Sequence, residues 1–259
     1  MSFSILHLLD QVFTVETIMT PRNELSTLNN ARRITIKKED EYLLRYDLIP
    51  LTEDGRIVEI YHTKTNKKES ITEKWLITRD TSIPELMNLF VESSQQGFIV
   101  LQRQDVVGLV TVADLNKLPT LVYLYNLFAE FEVSLEILIR STFRNNMEKI
   151  LSFLRKARKD DVIERYNEQV INNIEIDYLH LLYLLDIIDV VIGHDELRNK
   201  LGFPSKTKAE KALGGITRFR NRIMHPAQPL LVKIPEDLSK VLKHVATIKN
   251  VINQINSLS

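Results

Sequence analysis

The hydrophobic pattern of this chain changes period once, near Leu118, and that change limits the fold more than any other feature. Before it, the short runs EYLLRYDLIPL, GRIVEIYH, KWLIT, GFIVLQ and VVGLVTV are rich in Ile, Val, Leu and aromatics and are separated by turn signals such as Glu53–Gly55. Runs of that length and composition read as strands. Between two of them, SIPELMNLFVESS spaces Ile83, Leu86, Met87, Phe90 and Val91 for a helix that Ser82 and Pro84 start. Beyond Leu118 the spacing is helical and the segments are long. Leu121, Leu124, Phe128, Phe131, Leu135 and Leu138 share one face, with Asn145 and Asn146 as an interruption, and residues 176–193 are apolar nearly all round up to Gly193. A last helix starts at Pro235 and carries Leu238, Val241, Leu242, Val245, Ile248, Val251, Ile252 and Ile255 as a stripe. The pattern predicts an α+β domain over 1–118 and an all-α bundle of about four or five helices over 119–259.

Composition removes several function classes. Hydrophobic residues at 44% and charged residues at 26% are the balance of a folded globular protein rather than a disordered one. The absence of cysteine excludes disulfides, thiolate zinc sites and cysteine nucleophiles. No apolar run reaches the ~20 residues of a membrane helix. The opening MSFSILHLLDQVF lacks a basic n-region, so a cytoplasmic protein without a membrane partner is expected. His180, His194 and His244 are too far apart for a metal site, and neither H-E-x-x-H nor a phosphate-binding G-x-x-x-x-G-K-[ST] loop occurs. No metal is therefore expected. His180 reads as a hydrogen-bonded core residue, Trp75 as core, and RKARKDD at 155–161 as a solvated helix end. Net charge is zero, yet Glu196–His225 holds eight Lys and Arg against two Glu, an excess of six positive charges. Such a segment suits an anion such as a phosphate backbone, or is a solvated helix face.

In the first region, VETIMTPR (15–22) is followed by a segment over 81–117 that runs helix, strand, short turn, strand, and closes on G-L-V-T-V-A-D. This resembles a tandem pair of CBS domains, built of βαββα-type repeats. The resemblance implies an adenine nucleotide, AMP, ATP or a relative, as regulatory ligand, with Thr111 and Asp114 holding the ribose. A carboxylate can accept from both vicinal hydroxyls while a hydroxyl contacts phosphate. The residues alone equally allow Asp114 to cap a helix at ADLNKL. The first repeat offers Thr63 and Asn66 at the same spacing, but the helix expected in ARRITIKKEDEYLLRY is poorly formed, which leaves one of two clefts absent or altered. Sequence does not separate AMP or ATP from S-adenosylmethionine or a cyclic dinucleotide.

In the second region, SKTKAEKALGGITRFRNRIM reads as a helix from Ser205 or Thr207 that stops at His225, because Pro226 biases the preceding residue away from helix. Arg220 and His225 then lie about 140° apart around the axis, and a frayed end brings them to one cleft. Such a pair suits metal-free phosphodiester cleavage: an imidazole moves the proton, a guanidinium grips the phosphate, and Asn221 orients either. RNRIMH resembles the R-N-x-x-x-H motif of HEPN domains, which are helical bundles. Membership implies a homodimer with one composite ribonuclease site, RNA as substrate, and a link to toxin–antitoxin, abortive-infection and CRISPR-associated defence with an antitoxin or defence partner. The residues also permit Arg220 to pair with Asp186 or Asp189 while His225 caps the helix. The combined expectation is a nucleotide-regulated endoribonuclease with Arg220, Asn221 and His225 as catalytic residues. The alternative is a non-catalytic nucleotide-sensing scaffold whose bundle mediates dimerisation or partner binding.

Overall fold

The computed structural model describes residues 5–31, 34, 36, 38–172, 174–234 and 236–258, and Pro235, the expected start of the last helix, lies outside them. Two compact units form: residues 1–122 with 229–239, and residues 123–228 with 240–259.

In the first unit, helix α1 (Ile5–Val12) buries Leu6 and Leu9 and leads to β1 (Thr20–Pro21). Strands β2 (Leu28–Asn29), β3 (Leu48–Glu53), β4 (Arg56–His62) and β5 (Lys67–Ser70) make one sheet in that order. Strands β6 (Leu76–Thr78), β7 (Gly97–Gln102) and β8 (Asp105–Thr111) make the other, with β1 beside β8. Each sheet pairs its first strand parallel to the next, β2 with β3 and β6 with β7, and continues antiparallel.

The two hairpins are copies at a fixed offset. Leu48 faces His62 as Gly97 faces Thr111, 49 residues later, and the register slips at Leu51/Thr52 in one and at Val100/Leu101 in the other. Both turns use a positive φ, at Asp54 (50°) and Arg103 (56°). Alternation places Leu48 and Ile60 in one core with Trp75, Ile99 and Leu109, while Ile49, Leu51 and Tyr61 pack on Leu43 in another. Both faces of β3 and β4 are buried, which is why these runs read as almost continuously apolar.

The copies differ in what surrounds them. Between β6 and β7, α2 (Ile83–Ser93) is the expected helix, with Ser82 Oγ accepting from Glu85 N–H at 3.3 Å and Ile83, Leu86, Met87 and Phe90 buried. Between β2 and β3 the described residues form a 3-10 helix, Lys38–Arg45, where the helical signal is weak. After β8 the chain turns into a 3-10 helix, Val112–Asn116, whereas after β4 it folds back as β5.

One close approach depends on glycine. A Cβ on Gly108 would lie 2.6 Å from the Thr20 carbonyl oxygen and 2.9 Å from Met19 Sδ. Gly108→Ala is expected to cost about 1–3 kcal/mol in urea unfolding, as overpacking does; an unchanged midpoint would mean that the β1–β8 contact yields freely.

Helix α3 (Leu118–Phe143) starts in the first unit and supplies the second with Tyr123, Leu124, Leu127, Phe128, Phe131, Leu135 and Leu138, all buried. Arg144 and Asn145 take positive φ, and Asn146 Oδ1 caps α4 (Met147–Leu151), accepting from Lys149 N–H at 3.1 Å. The interruption expected at the two asparagines is present. Next comes α5 (Lys156–Ile171). Its Arg158 is no solvated side chain: Nε donates to Asp186 Oδ2 at 2.8 Å and Nη2 to the Leu181 carbonyl at 2.9 Å.

The apolar run 176–193 is not one helix. A 3-10 turn, Tyr178–Leu181, is capped by Asp177, and α6 (Leu184–Gly193) begins afresh after Asp186 accepts from the Tyr183 N–H at 2.8 Å. An acid inside each half gives a local acceptor for a new N-terminus, and that overrides the apolar periodicity. Helices α7 (Asp195–Lys200) and α8 (Lys206–Leu213) follow, and Gly214–Gly215 separates α8 from α9 (Ile216–Ile223), where one helix had been expected. In α10 (Glu236–Asn256), Leu238, Val241, Val245, Ile248, Val251, Ile252 and Ile255 are buried as the stripe requires.

Candidate functional site

A cleft of about 550 Å³ in the first unit collects residues from both repeats. The second repeat contributes Thr111, Val112, Ala113 and Asp114, and the first contributes Arg45, Tyr46, Asp47 and Lys64. That size is within the range of small-molecule sites.

Asp114 is 9% exposed. Its Oδ2 accepts from the Thr111 N–H at 2.7 Å and the Thr111 hydroxyl at 2.9 Å, and its Oδ1 meets Lys117 Nζ at 2.8 Å. Thr111 and Asp114 therefore come together as expected, and the carboxylate also caps the 3-10 turn. A carboxylate has about four acceptor positions, so three contacts leave one for an incoming hydroxyl. On the opposite wall, Lys64 Nζ pairs with Asp47 at 2.8 Å, and Arg45 Nη2 donates to Tyr46 Oη at 2.7 Å. The Arg45 bond, helped by Ser26, holds the Tyr46 phenol below its usual pKa. Cations, a phenol and a ribose-type acceptor around one cleft suit a nucleotide.

Thr63 and Asn66 do not line it. The Thr63 hydroxyl donates to the Tyr46 carbonyl at 2.7 Å, and Asn66, at φ 55° in the β4–β5 turn, accepts from Tyr61 Oη at 2.6 Å. The hairpin register assigns the place of Thr111 to His62, one residue before Thr63. His62 lies 3.3 Å from Glu69 and edge-on to Trp75, and is turned to the β5 side.

In the second unit, a cavity of about 500 Å³ is lined by Glu132 and Glu136 of α3, His180, Tyr183, and Thr217, Arg220 and Asn221 of α9. Phe219 sets the position of α9: its ring lies 5.5 Å from Phe128 and is stacked at 5.0 Å and 22° on His244. A Cβ on Gly215 would meet His244 Cε1 at 2.7 Å, so the glycine makes room for that stack. Burial, with a smaller contribution from Lys243, lowers the His244 pKa and so favours the neutral ring against Phe219.

Burial raises the pKa of Glu132, opposed by the Arg220 charge. Burial also raises Glu136, opposed by His180 and Arg140 and reinforced by Glu132 and Asp177. The acid that faces Arg220 is thus Glu132, whereas Asp186 is bonded to Arg158. His225 is exposed beyond the end of α9, its N–H donating to the Arg222 carbonyl at 3.3 Å, and it is not part of the cavity wall. Of the three motif residues, the cavity takes Arg220 and Asn221 and leaves His225 outside.

Glu132, Glu136, His180 and Tyr183 were not foreseen. The sequence does place Glu132 and Glu136 one helical turn apart in α3, a signal that concerns these two alone. In the basic segment, Arg198 pairs with Asp195 and Lys200 with Glu196, while Lys206, Lys208, Lys211 and Arg218 remain exposed. Among the described residues, no group of three or more His, Asp and Glu side chains is arranged to hold a metal, and no helix is long and apolar enough to cross a membrane.

No family model matches the chain, and no curated protein does. Among solved structures, the CBS domain of a bacterial CNNM/CorC family Mg2+ transporter in complex with ATP is similar over 42% of this chain and 89% of its own, at 21% identity and TM-score 0.33. A CBS-domain pair with bound AMP from Klebsiella pneumoniae is similar over 39% of this chain and 94% of its own, at 20% identity and TM-score 0.30. A hemolysin-like protein containing a CBS domain, from Oenococcus oeni PSU, is similar over 42% and 90%, at 17% identity and TM-score 0.32. ATP and AMP are ligands of the first two proteins.

Proposed function

We propose that this chain is a nucleotide-regulated, metal-independent endoribonuclease. A CBS-type pair in the first unit binds an adenine nucleotide, and a HEPN-type second unit cleaves RNA with Arg220, Asn221 and His225 as a homodimer. A role in defence, with an antitoxin or defence partner, belongs to the same proposal. The observation that carries it is the cavity in which Arg220 and Asn221 meet Glu132, Glu136 and His180. A guanidinium beside titratable groups is what phosphodiester cleavage needs. The repeat at 49-residue offset and the cleft of Thr111 and Asp114 support nucleotide binding, with Lys64 rather than Thr63 or Asn66 as the contribution of the first repeat. Val133, Ile137, Leu185 and Met224 are exposed, and Leu185 lines the cavity; exposed apolar side chains of this kind are available to a second copy and support a dimer.

The exposed place of His225 favours a second reading, a nucleotide-sensing scaffold without catalysis. Cleavage of mixed-sequence single-stranded RNA in EDTA, by wild type and His225→Ala, with and without ATP or AMP, separates the two. Cleavage that is lost in the variant and altered by nucleotide is the expected result. A wild type inert under every condition favours the scaffold.

A further inference from the structure

The cavity that holds Arg220 has an imidazole of its own. His180 stands on the turn Tyr178–Leu181, whose flanking Leu179 and Leu181 are buried at 0% and 5% exposure. Asp177 Oδ1 accepts from the Leu179 N–H at 2.7 Å, and Arg140 pairs with Asp177. Tyr178 stacks on Tyr166 of α5 at 3.8 Å and 16°. Anchored by two buried leucines, a paired cap and a ring stack, the turn leaves His180 exposed at the wall of the cavity, where a core residue was expected. The charged groups facing it are Glu132, Glu136 and Arg140 from α3, Asp177 at the head of its own turn, and Arg220 from α9.

We propose that His180 is a catalytic base of this cavity, acting on a phosphodiester that carries a free 2′-hydroxyl and is gripped by Arg220, with Glu136 as its positioning residue. The inference rests on the ribonuclease proposal and deepens it, because it assigns proton acceptance to His180 of the 3-10 turn and leaves His225 of the motif to contact the phosphate, so His225→Ala is still expected to lose cleavage. In the step, His180 takes the proton of the 2′-hydroxyl, the 2′-oxygen forms a bond to phosphorus, and the bond from phosphorus to the 5′-oxygen breaks. The imidazolium returns its proton to the departing 5′-oxygen. The products are a 2′,3′-cyclic phosphate and a 5′-hydroxyl, and the enzyme ends as it began. An ionised Glu136 stabilises the imidazolium between the two transfers. Because burial raises the Glu136 pKa, that help fades as pH falls into the range where the carboxyl takes up its proton.

The test compares wild type, His180→Ala, His180→Gln, Glu136→Gln and His225→Ala in EDTA on one RNA oligonucleotide and its all-2′-deoxy counterpart, across pH. His180→Ala and His180→Gln are expected to lose about 10²-fold or more in kcat, the usual share of a general base, with KM and melting temperature held. Added imidazole is expected to restore part of the His180→Ala rate, Glu136→Gln to displace the acid limb of the pH profile, and the deoxy strand to remain intact. Wild-type kcat and pH profile in both His180 variants, with His225→Ala inactive, overturn this inference and leave the ribonuclease proposal standing. A wild type without cleavage overturns both.

Discussion

Arg220→Ala is expected to lower RNA cleavage by about 10²–10³-fold, the usual loss when one donor to a developing oxyanion is removed. Arg220 is half-buried in the cavity wall and lies within reach of the Glu132 charge. A phosphate bound there meets a planar pair of donors in a partly desolvated site, where a charge-assisted contact is stronger than in water. The variant also deprives Glu132 of the cation that offsets its burial, so its carboxyl takes up a proton at higher pH than in the wild type. Arg220→Lys keeps the charge and loses the bidentate fork, so an intermediate loss is expected. Equal falls in kcat and kcat/KM place the contact in the transition state, whereas a rise in KM alone makes Arg220 a phosphate anchor. Wild-type rates in Arg220→Ala place the cleavage outside this cavity.

The secondary structure of the first unit was legible where local signals agree. Ser82, Pro84 and the spacing from Ile83 to Phe90 specify α2, and the weak signal before β3 corresponds to a 3-10 helix. The equivalence of Thr63 to Thr111 was misread by one residue. Matching threonines by motif ignores the hairpin, whereas counting from the turns at Asp54 and Arg103 leads to His62. In a pleated strand one residue is a change of face, and here neither His62, at the end of β4, nor Thr63, just beyond it, lines the cleft. In the second unit the apolar stripes of α3 and α10 were readable. The break at Leu182–Tyr183 was not, because the caps that make it are aspartates inside an apolar run. The cavity was illegible for a related reason. Its walls come from segments around Glu132, His180 and Arg220, and no local periodicity relates residues that far apart in sequence.

Asp114→Asn is expected to abolish most of the stabilisation that ATP or AMP gives the wild type, which amounts to about 2.7 kcal/mol at a ligand concentration 100 times Kd. The carboxylate accepts from Thr111 twice and from Lys117, so the amide also weakens the 3-10 turn, and the readout is the ligand-induced rise in melting temperature rather than the melting temperature itself. Asn66→Ala and Thr63→Val are expected to keep the full rise, because neither side chain lines the cleft. Lys64→Ala separates the ligands. If its ammonium meets phosphates, the response to ATP falls more than the response to AMP, since each added phosphate strengthens the attraction. An Asp114→Asn variant that responds like wild type moves the nucleotide elsewhere. Binding alone does not make a switch: driving an equilibrium from 1:99 to 99:1 takes about 5.5 kcal/mol of difference in affinity between two states. A nucleotide that raises the melting temperature of the wild type yet leaves RNA cleavage unchanged therefore binds both states equally, and sensing and cleavage then share a chain without sharing a switch.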